Sequence, residues 1–152
     1  ALHDGPIIAA DVSANARQTA LDRGATEAVD PTDPKALEGL MARGDVVGAI
    51  DFVGSPATLG FSIGAIRRGG RVVVVGLYGG AIPLPIPSLP FKAMSLMGSY
   101  VGSLKEAEDL MALMREGRIA PPLMAERPLA KANEALDDLR AGKVVGRTVL
   151  RP

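Results

Sequence analysis

The chain has 152 residues, with 17 Lys plus Arg balanced by 17 Asp plus Glu and 47% apolar residues. That length supports one domain with a sizeable core, and the balanced charge leaves no basic footprint for nucleic acid. Cysteine is absent, so disulfides and thiolate metal sites are excluded within this chain, and His3, the single histidine, reads as a solvated side chain and not as a ligand, since protein zinc sites need three or four donors. No apolar run approaches the roughly 18 residues of a membrane span. No signal peptide is visible, and a cytoplasmic location is expected.

Residues 1 to 5 are too few for an element and read as the tail of one. The start, Ala-Leu-His without methionine, reads as a piece trimmed from something longer. Pro6 to Asp11 is a short apolar run, expected to be a buried strand. Ser13 caps a predicted helix from Ala14 to Arg23, with Gly24 in the position a helix-ending glycine takes. Ala25 to Asp30 is a second short strand. Asp33-Pro34 is a cap followed by a first-turn proline and opens a helix to about Arg43. Val46 to Val53 is nearly continuous in apolar character, which suits a parallel strand covered on both faces. Ser55-Pro56 repeats the cap-then-proline signal for a helix to about Arg68, ended by Gly69-Gly70. Arg71 to Gly76, with four consecutive valines, is the strongest strand.

After Leu77 the texture changes. Gly79, Gly80 and the prolines Pro83, Pro85, Pro87 and Pro90 predict a loop with an extended edge segment, because proline cannot donate to a ladder. Ser95 to Val101 is another strand. Ser103 and Glu106 form a capping box for a helix to about Glu116. Pro121-Pro122 marks a loop, Lys131 to Ala141 a last helix, and Val144 to Leu150 a last strand. Alternating strands and helices give an α/β class with a mainly parallel sheet, three-layered and doubly wound. No repeat and no domain boundary is found, so residues 1–152 are expected to be one domain.

Asp11 ends a strand just before a helix. A carboxylate there can accept two hydrogen bonds from the vicinal hydroxyls of a ribose, and it would repel a 2′-phosphate. The alternative is a structural acid that binds backbone N–H groups at the turn. Gly54 and Gly76 stand at the carboxyl ends of successive central strands, where ligands of open α/β sheets lie; a plain strand-to-helix turn explains either glycine alone. Arg147 in the last strand either reaches a phosphate or faces solvent at an edge. Asp51 is either buried with a partner or placed at the ligand crevice. Arg67-Arg68 reads as a solvated helix end. Tyr78 and Tyr100 are lone phenols. The G-x-G-x-x-G fingerprint is missing, as are a nucleophile elbow and any Ser/His/Asp set, and no catalytic residue can be named.

The sequence resembles the C-terminal, coenzyme-binding part of the medium-chain zinc-dependent alcohol dehydrogenases. The resemblance runs in order through IIAADVS (7–13), GATEAVD (24–30), AIDFVGSPATL (49–59), RRGGRVVVVGLYGG (67–80), LPF (89–91), GSYVG (98–102) and LRAGKVVGRTVL (139–150). It implies a Rossmann-like domain, NAD as coenzyme, and hydride transfer between an alcohol or aldehyde and NAD in the full-length protein. It implies that Asp11 holds the ribose, that Arg17 lies near the adenosine, and that Val53 and Gly54 flank the adenosine. It places Val75, Gly76 and Leu77 beneath the nicotinamide, the backbone of Ser99, Tyr100 and Val101 against the carboxamide, and Arg147 on the coenzyme from near the C-terminus. It also implies a homodimer through residues 84–101, with Leu89, Phe91 and Met94 as apolar contributors.

The family pattern also includes a catalytic domain with zinc ligands, a first Rossmann strand and a glycine-rich loop, none of which matches anything here. Residues 1 to 5 would match the end of the helix after that loop. NAD binding by this chain is therefore expected to be weak or absent, and catalysis absent. A missing central strand leaves two unpaired edges, here expected on strands 7–11 and 71–76. The gap is expected to close by rearrangement or by pairing with another copy. Two other readings stay open: a non-catalytic dimerisation module, and a methyltransferase-type nucleotide-binding domain, which the closing strand argues against.

Overall fold

The computed structural model describes residues 3–152 and divides into two compact units, one running Pro6–Gly102 and the other including Ser103–Pro152. Ala1 and Leu2, part of the expected terminal helix tail, lie outside the described residues; residues 3–5 are not helical.

The larger unit alternates strand and helix: β1 (Ile8–Ala10), α1 (Ala14–Asp22), β2 (Glu27–Val29), α2 (Pro34–Arg43), β3 (Gly48–Asp51), α3 (Pro56–Ala65), β4 (Arg71–Val74), α4 (Ser88–Lys92) and β5 (Ser95–Gly98). The helix starts follow the local signals. Ser13 accepts from the Ala16 N–H, Asp33 from the Lys35 N–H ahead of Pro34, and Ser55 forms a reciprocal capping box with Thr58 ahead of Pro56. Each cap satisfies donors that the first helical turn leaves free. Gly44 closes α2 in the left-handed conformation that a Cβ disfavours.

Every ladder is parallel. β1 pairs with β2, and β3, β4 and β5 form a three-stranded sheet in that order, with Ile50 opposite Val73 and Val72 opposite Leu96. The α/β class and its parallel strands therefore follow the expectation. The placement of the open edges does not. β4 is paired on both sides, so residues 71–76 offer no free edge; the open inner edges belong to β1 and β3, which do not pair with each other. Rearrangement within the chain has not closed the gap.

Beneath the three-stranded sheet, Val72 is fully buried against Ile66 and Met94, with Ala49, Leu59, Ile63 and Leu84 packed around them. Removing a side chain such as Val72, Ile66 or Met94 from water stabilises the fold by about 1.5–3 kcal/mol. Met94 thus belongs to the core and is not free to contribute to a dimer seam. The proline-rich stretch also differs from expectation. Residues 77–87 are irregular, and residues 88–92 form the one-turn helix α4 in place of an extended edge. Lys92 fixes this turn: its Nζ donates to the carbonyls of Ile63, of Gly64 at 2.9 Å and of Ile66 at 3.0 Å at the C-terminal end of α3. Burial lowers the pKa of this ammonium, while three carbonyls at a helix C-terminus favour its charged form.

The smaller unit holds α5 (Leu104–Arg115), β6 (Met124–Pro128), a 3₁₀ turn over 129–131, α6 (Ala132–Arg140) and β7 (Arg147–Arg151). Ser103 and Glu106 make the expected capping box; the Ser103 N–H and hydroxyl hold the Glu106 carboxyl below its ordinary pKa. β6 has no counterpart in the sequence reading, because Met-Ala-Glu-Arg-Pro shows neither alternation nor an apolar run. It forms through parallel pairing with β7, reinforced by Arg151 clamping Glu126 at 2.5–2.6 Å and by Arg127 on Asp138 at 2.8 Å. Gly146 has φ +86°, and a Cβ there would stand 2.2 Å from the Leu123 carbonyl oxygen, so this approach requires glycine.

Candidate functional site

The carboxyl ends of β1 and β2 carry a small polar cluster. Asp11 extends the ladder, its N–H donating to the Val29 carbonyl at 3.2 Å. Its Oδ1 accepts the Ser13 N–H at 2.7 Å, so the side chain is oriented by the turn that leads into α1. One oxygen therefore satisfies the backbone at the turn, and Oδ2 accepts nothing among the described residues on an exposed side chain. Arg17, from the first turns of α1, donates to the Asp11 carbonyl at 2.6 Å and to Asp30 Oδ2 at 3.0 Å. Its guanidinium is a strut between two strand ends. Asp30 Oδ1 in turn accepts the Thr32 N–H at 2.9 Å and its hydroxyl at 2.6 Å. Those two bonds, with Arg17 beside them, hold the Asp30 carboxyl below its ordinary pKa. The Asp30–Thr32 pair has no counterpart in the sequence reading, although acid-x-Thr after a strand is a turn signal.

At the end of β3 the alternative left open for Asp51 is resolved. The side chain is 3% exposed. Its Oδ1 accepts the Val53 and Gly54 N–H groups at 3.0 and 2.9 Å, and Oδ2 accepts the Thr58 hydroxyl at 3.0 Å. A buried carboxylate with three donors is structural: it ties the strand end to the first turn of α3. Thr58 is the partner that sequence reading missed.

Gly54 and Gly76 meet each other. A Cβ on Gly54 would lie 2.0 Å from the Gly76 carbonyl oxygen, and one on Gly76 would lie 2.1 Å from the Val53 carbonyl carbon. The Tyr78 and Gly79 N–H groups then donate to the Val53 and Gly54 carbonyls at 3.0 and 3.1 Å. These glycines let two backbones touch at the carboxyl ends of β3 and β4. That contact accounts for both glycines whatever binds nearby.

Around this junction the side chains are left to solvent. Leu77, Tyr78, Tyr100 and Val101 are each more than three-quarters exposed, and Phe52 and Val53 are exposed beside them in sequence. The Ser99 N–H donates to the Val74 carbonyl at 2.9 Å, so residues 99–101 continue from β5 at the same end of the sheet. Val101 holds φ +47°, a left-handed conformation that a β-branched residue adopts only at a cost of about 1–3 kcal/mol. Val75 is half-buried and continues the ladder, its N–H on the Asp51 carbonyl at 2.9 Å. A shallow pocket of about 120 Å³ lies against Ser55, Pro56, Leu59 and Gly80. It is smaller than the roughly 300–1,000 Å³ that encloses a drug-sized ligand. Arg147, in the smaller unit, is exposed at the start of β7, its Nη1 on the Gly146 carbonyl at 3.0 Å. Arg67 and Arg68 are exposed beyond the end of α3, as expected.

Chemically, the larger unit offers an exposed carboxylate suited to a diol, a backbone junction at two strand ends and an apolar rim. It offers no zinc site: the sequence has no cysteine, and among the described residues no three His, Asp or Glu side chains converge.

Residues 3–116 match a family described as zinc-binding dehydrogenase. An NAD-dependent alcohol dehydrogenase of Sulfolobus acidocaldarius is 33% identical over 99% of this chain, which corresponds to 44% of that protein. A D-arabinose 1-dehydrogenase (NADP(+)) of Saccharolobus solfataricus is 31% identical over 90% of the chain and 39% of that protein. Among solved structures, the alcohol dehydrogenase of Aeropyrum pernix superposes on 97% of this chain and 43% of its own, with a TM-score of 0.87 and 32% identity. The chain thus spans less than half the length of these relatives.

Proposed function

The chain belongs to the zinc-binding dehydrogenase family, and from that membership we propose that it is the coenzyme-binding part of an NAD-dependent alcohol dehydrogenase. The whole enzyme would move a hydride between an alcohol and NAD, giving the aldehyde or ketone, NADH and a proton. The observation that carries the reading is Asp11: an exposed carboxylate at the carboxyl end of a parallel strand, oriented by the Ser13 N–H and backed by Arg17. Its free oxygen suits the adenosine ribose and disfavours a 2′-phosphate.

Within this proposal Arg17 is a positioning residue for Asp11, because its guanidinium is already committed to the Asp11 carbonyl and to Asp30. Val53 and Gly54 flank the adenosine. Val75, Gly76 and Leu77 lie beneath the nicotinamide, the backbone of Ser99, Tyr100 and Val101 meets its carboxamide, and Arg147 supplies a cation to the coenzyme. The chain binds NAD weakly, having no glycine-rich loop to receive the pyrophosphate. Its own residues supply no proton-transfer group and no metal, so catalysis belongs to the longer enzyme. That enzyme would work in the cytoplasm as a dimer built through residues 84–101. Ile86 and Phe91, 80% and 75% exposed, with the exposed outer face of β5, also favour a second reading in which this surface assembles copies without catalysis. Family membership disfavours the methyltransferase alternative.

Calorimetric titration of the chain with NADH, alongside Asp11→Ala, tests the reading. Saturable binding in the millimolar range, weakened about tenfold by the substitution, is expected. Absence of heat at millimolar NADH would favour the assembly reading for this chain.

A further inference from the structure

Asp11 and Asp30 each follow the last register pair of two neighbouring parallel strands, Ala10 opposite Val29. Two carboxylates therefore stand at the carboxyl ends of β1 and β2, and they are held differently. Asp11 is exposed, and its Oδ2 accepts nothing among the described residues. Asp30 is partly shielded, its side chain 31% exposed. The Thr32 N–H and hydroxyl pin its Oδ1, which leaves Oδ2 for Arg17 at 3.0 Å. The same guanidinium nitrogen, Nη1, donates to the Asp11 carbonyl at 2.6 Å, while Nη2 and Nε donate to nothing among the described residues. Arg17 thus stands against Asp11 with its charge compensated by Asp30. At 23% exposure this ion pair is screened less than one open to water.

An arginine near the ribose acid is the group that accommodates a 2′-phosphate, because the planar fork of a guanidinium matches phosphate oxygens. Relatives of this chain are named for NAD in one case and for NADP(+) in another, so side chains and not the fold make that choice. We propose that Asp30 is a second determinant of coenzyme choice: a positioning residue that holds the Arg17 guanidinium on its own carboxylate and away from a 2′-phosphate on the adenosine ribose. The inference rests on the coenzyme reading above and extends it from Asp11 to the neighbouring strand. Asp11 repels the extra phosphate directly, and Asp30 withholds the cation that would compensate it. Both must change before a 2′-phosphate is accepted. The substitution Asp30→Asn separates the tether from the turn. The amide oxygen still accepts from Thr32, and the amide N–H groups then face Arg17 donor to donor.

Titration of the full chain with 5′-AMP and with adenosine 2′,5′-bisphosphate, followed by amide chemical shifts, isolates the 2′-phosphate. The parent should favour 5′-AMP. Asp11→Ser alone should bring the two affinities to within about threefold, and Asp11→Ser with Asp30→Asn should favour the bisphosphate by about tenfold, the worth of one charge-assisted contact. Adding Arg17→Met should return the ratio to that of Asp11→Ser. Asp30→Ser makes the same charge change with a smaller side chain and should give the same order. A ratio unmoved by Asp30→Asn, or a gain that survives Arg17→Met, would overturn the role of Asp30 and leave the coenzyme reading standing. Failure of the parent and of every variant to bind either nucleotide would overturn the coenzyme reading for this chain and this inference with it.

Discussion

Replacing Asp51 by alanine isolates the contact that joins the carboxyl end of β3 to α3. The side chain is buried, and its two oxygens hold three donors: the Val53 N–H, the Gly54 N–H and the Thr58 hydroxyl. Alanine leaves two backbone N–H groups without their acceptor at a turn that must also receive Gly76. Bonds to a charged acceptor contribute about 1.5–3 kcal/mol each, and they are not additive within one turn. A loss of about 3–5 kcal/mol is therefore expected, a large share of the roughly 5–15 kcal/mol that stabilises a domain. The substitution Asp51→Asn keeps an acceptor for both N–H groups and places an amide beside a Thr58 oxygen already engaged by Ser55, so it should cost only about 1 kcal/mol. Urea unfolding followed by circular dichroism reads both values, provided the denaturant slope stays that of the parent. NADH titration of the folded Asp51→Asn variant then separates the roles: a structural Asp51 predicts affinity within about twofold of the parent. A loss below about 1 kcal/mol for alanine would refute the turn-anchoring role. A stable Asp51→Asn variant that had lost NADH affinity would move Asp51 into the crevice.

The two remaining predictions concern close approach and capping. Gly76→Ala should cost at least about 3 kcal/mol or prevent folding, because its Cβ would lie 2.1 Å from the Val53 carbonyl carbon, whereas Gly98→Ala, with nothing within 4 Å, should melt within a few degrees of the parent by calorimetry. Lys92→Met keeps the apolar stem but removes the donor to three α3 carbonyls; a loss of about 2 kcal/mol in urea unfolding is expected.

The fold could be read where local chemistry and tertiary context agree. Ser13, Asp33, Ser55 and Ser103 cap helices because each can satisfy a free N–H from within four residues. The consecutive valines of β4 suit burial on both faces; Val72 is fully buried and Val73, Val74 and Val75 are partly buried. Where structure depends on a distant partner, the sequence carries no mark. β6 exists through its parallel pairing with β7, a partner twenty-three residues away at each register position, with the Arg151–Glu126 ion pair across it. α4 turns where an extended edge was expected, because Lys92 reaches back to α3. The site shows the same division. Asp11 at a strand end is a local signal, and its orientation by Ser13 is local too. The buried partners of Asp51 and the contact between Gly54 and Gly76 arise only when β3 and β4 lie side by side.

The open edges join the two levels. A parallel strand gains its stability from neighbours on both sides, so a sheet with unpaired inner edges holds β1 through β2 alone and β3 through β4 alone. α2 and α3 still pack across the connection, and this helix layer maintains the larger unit without a central ladder. Ile50 on β3 is exposed, as is the apolar rim at the sheet's carboxyl end. Surfaces of this kind stay in water only at the cost of a tendency to associate.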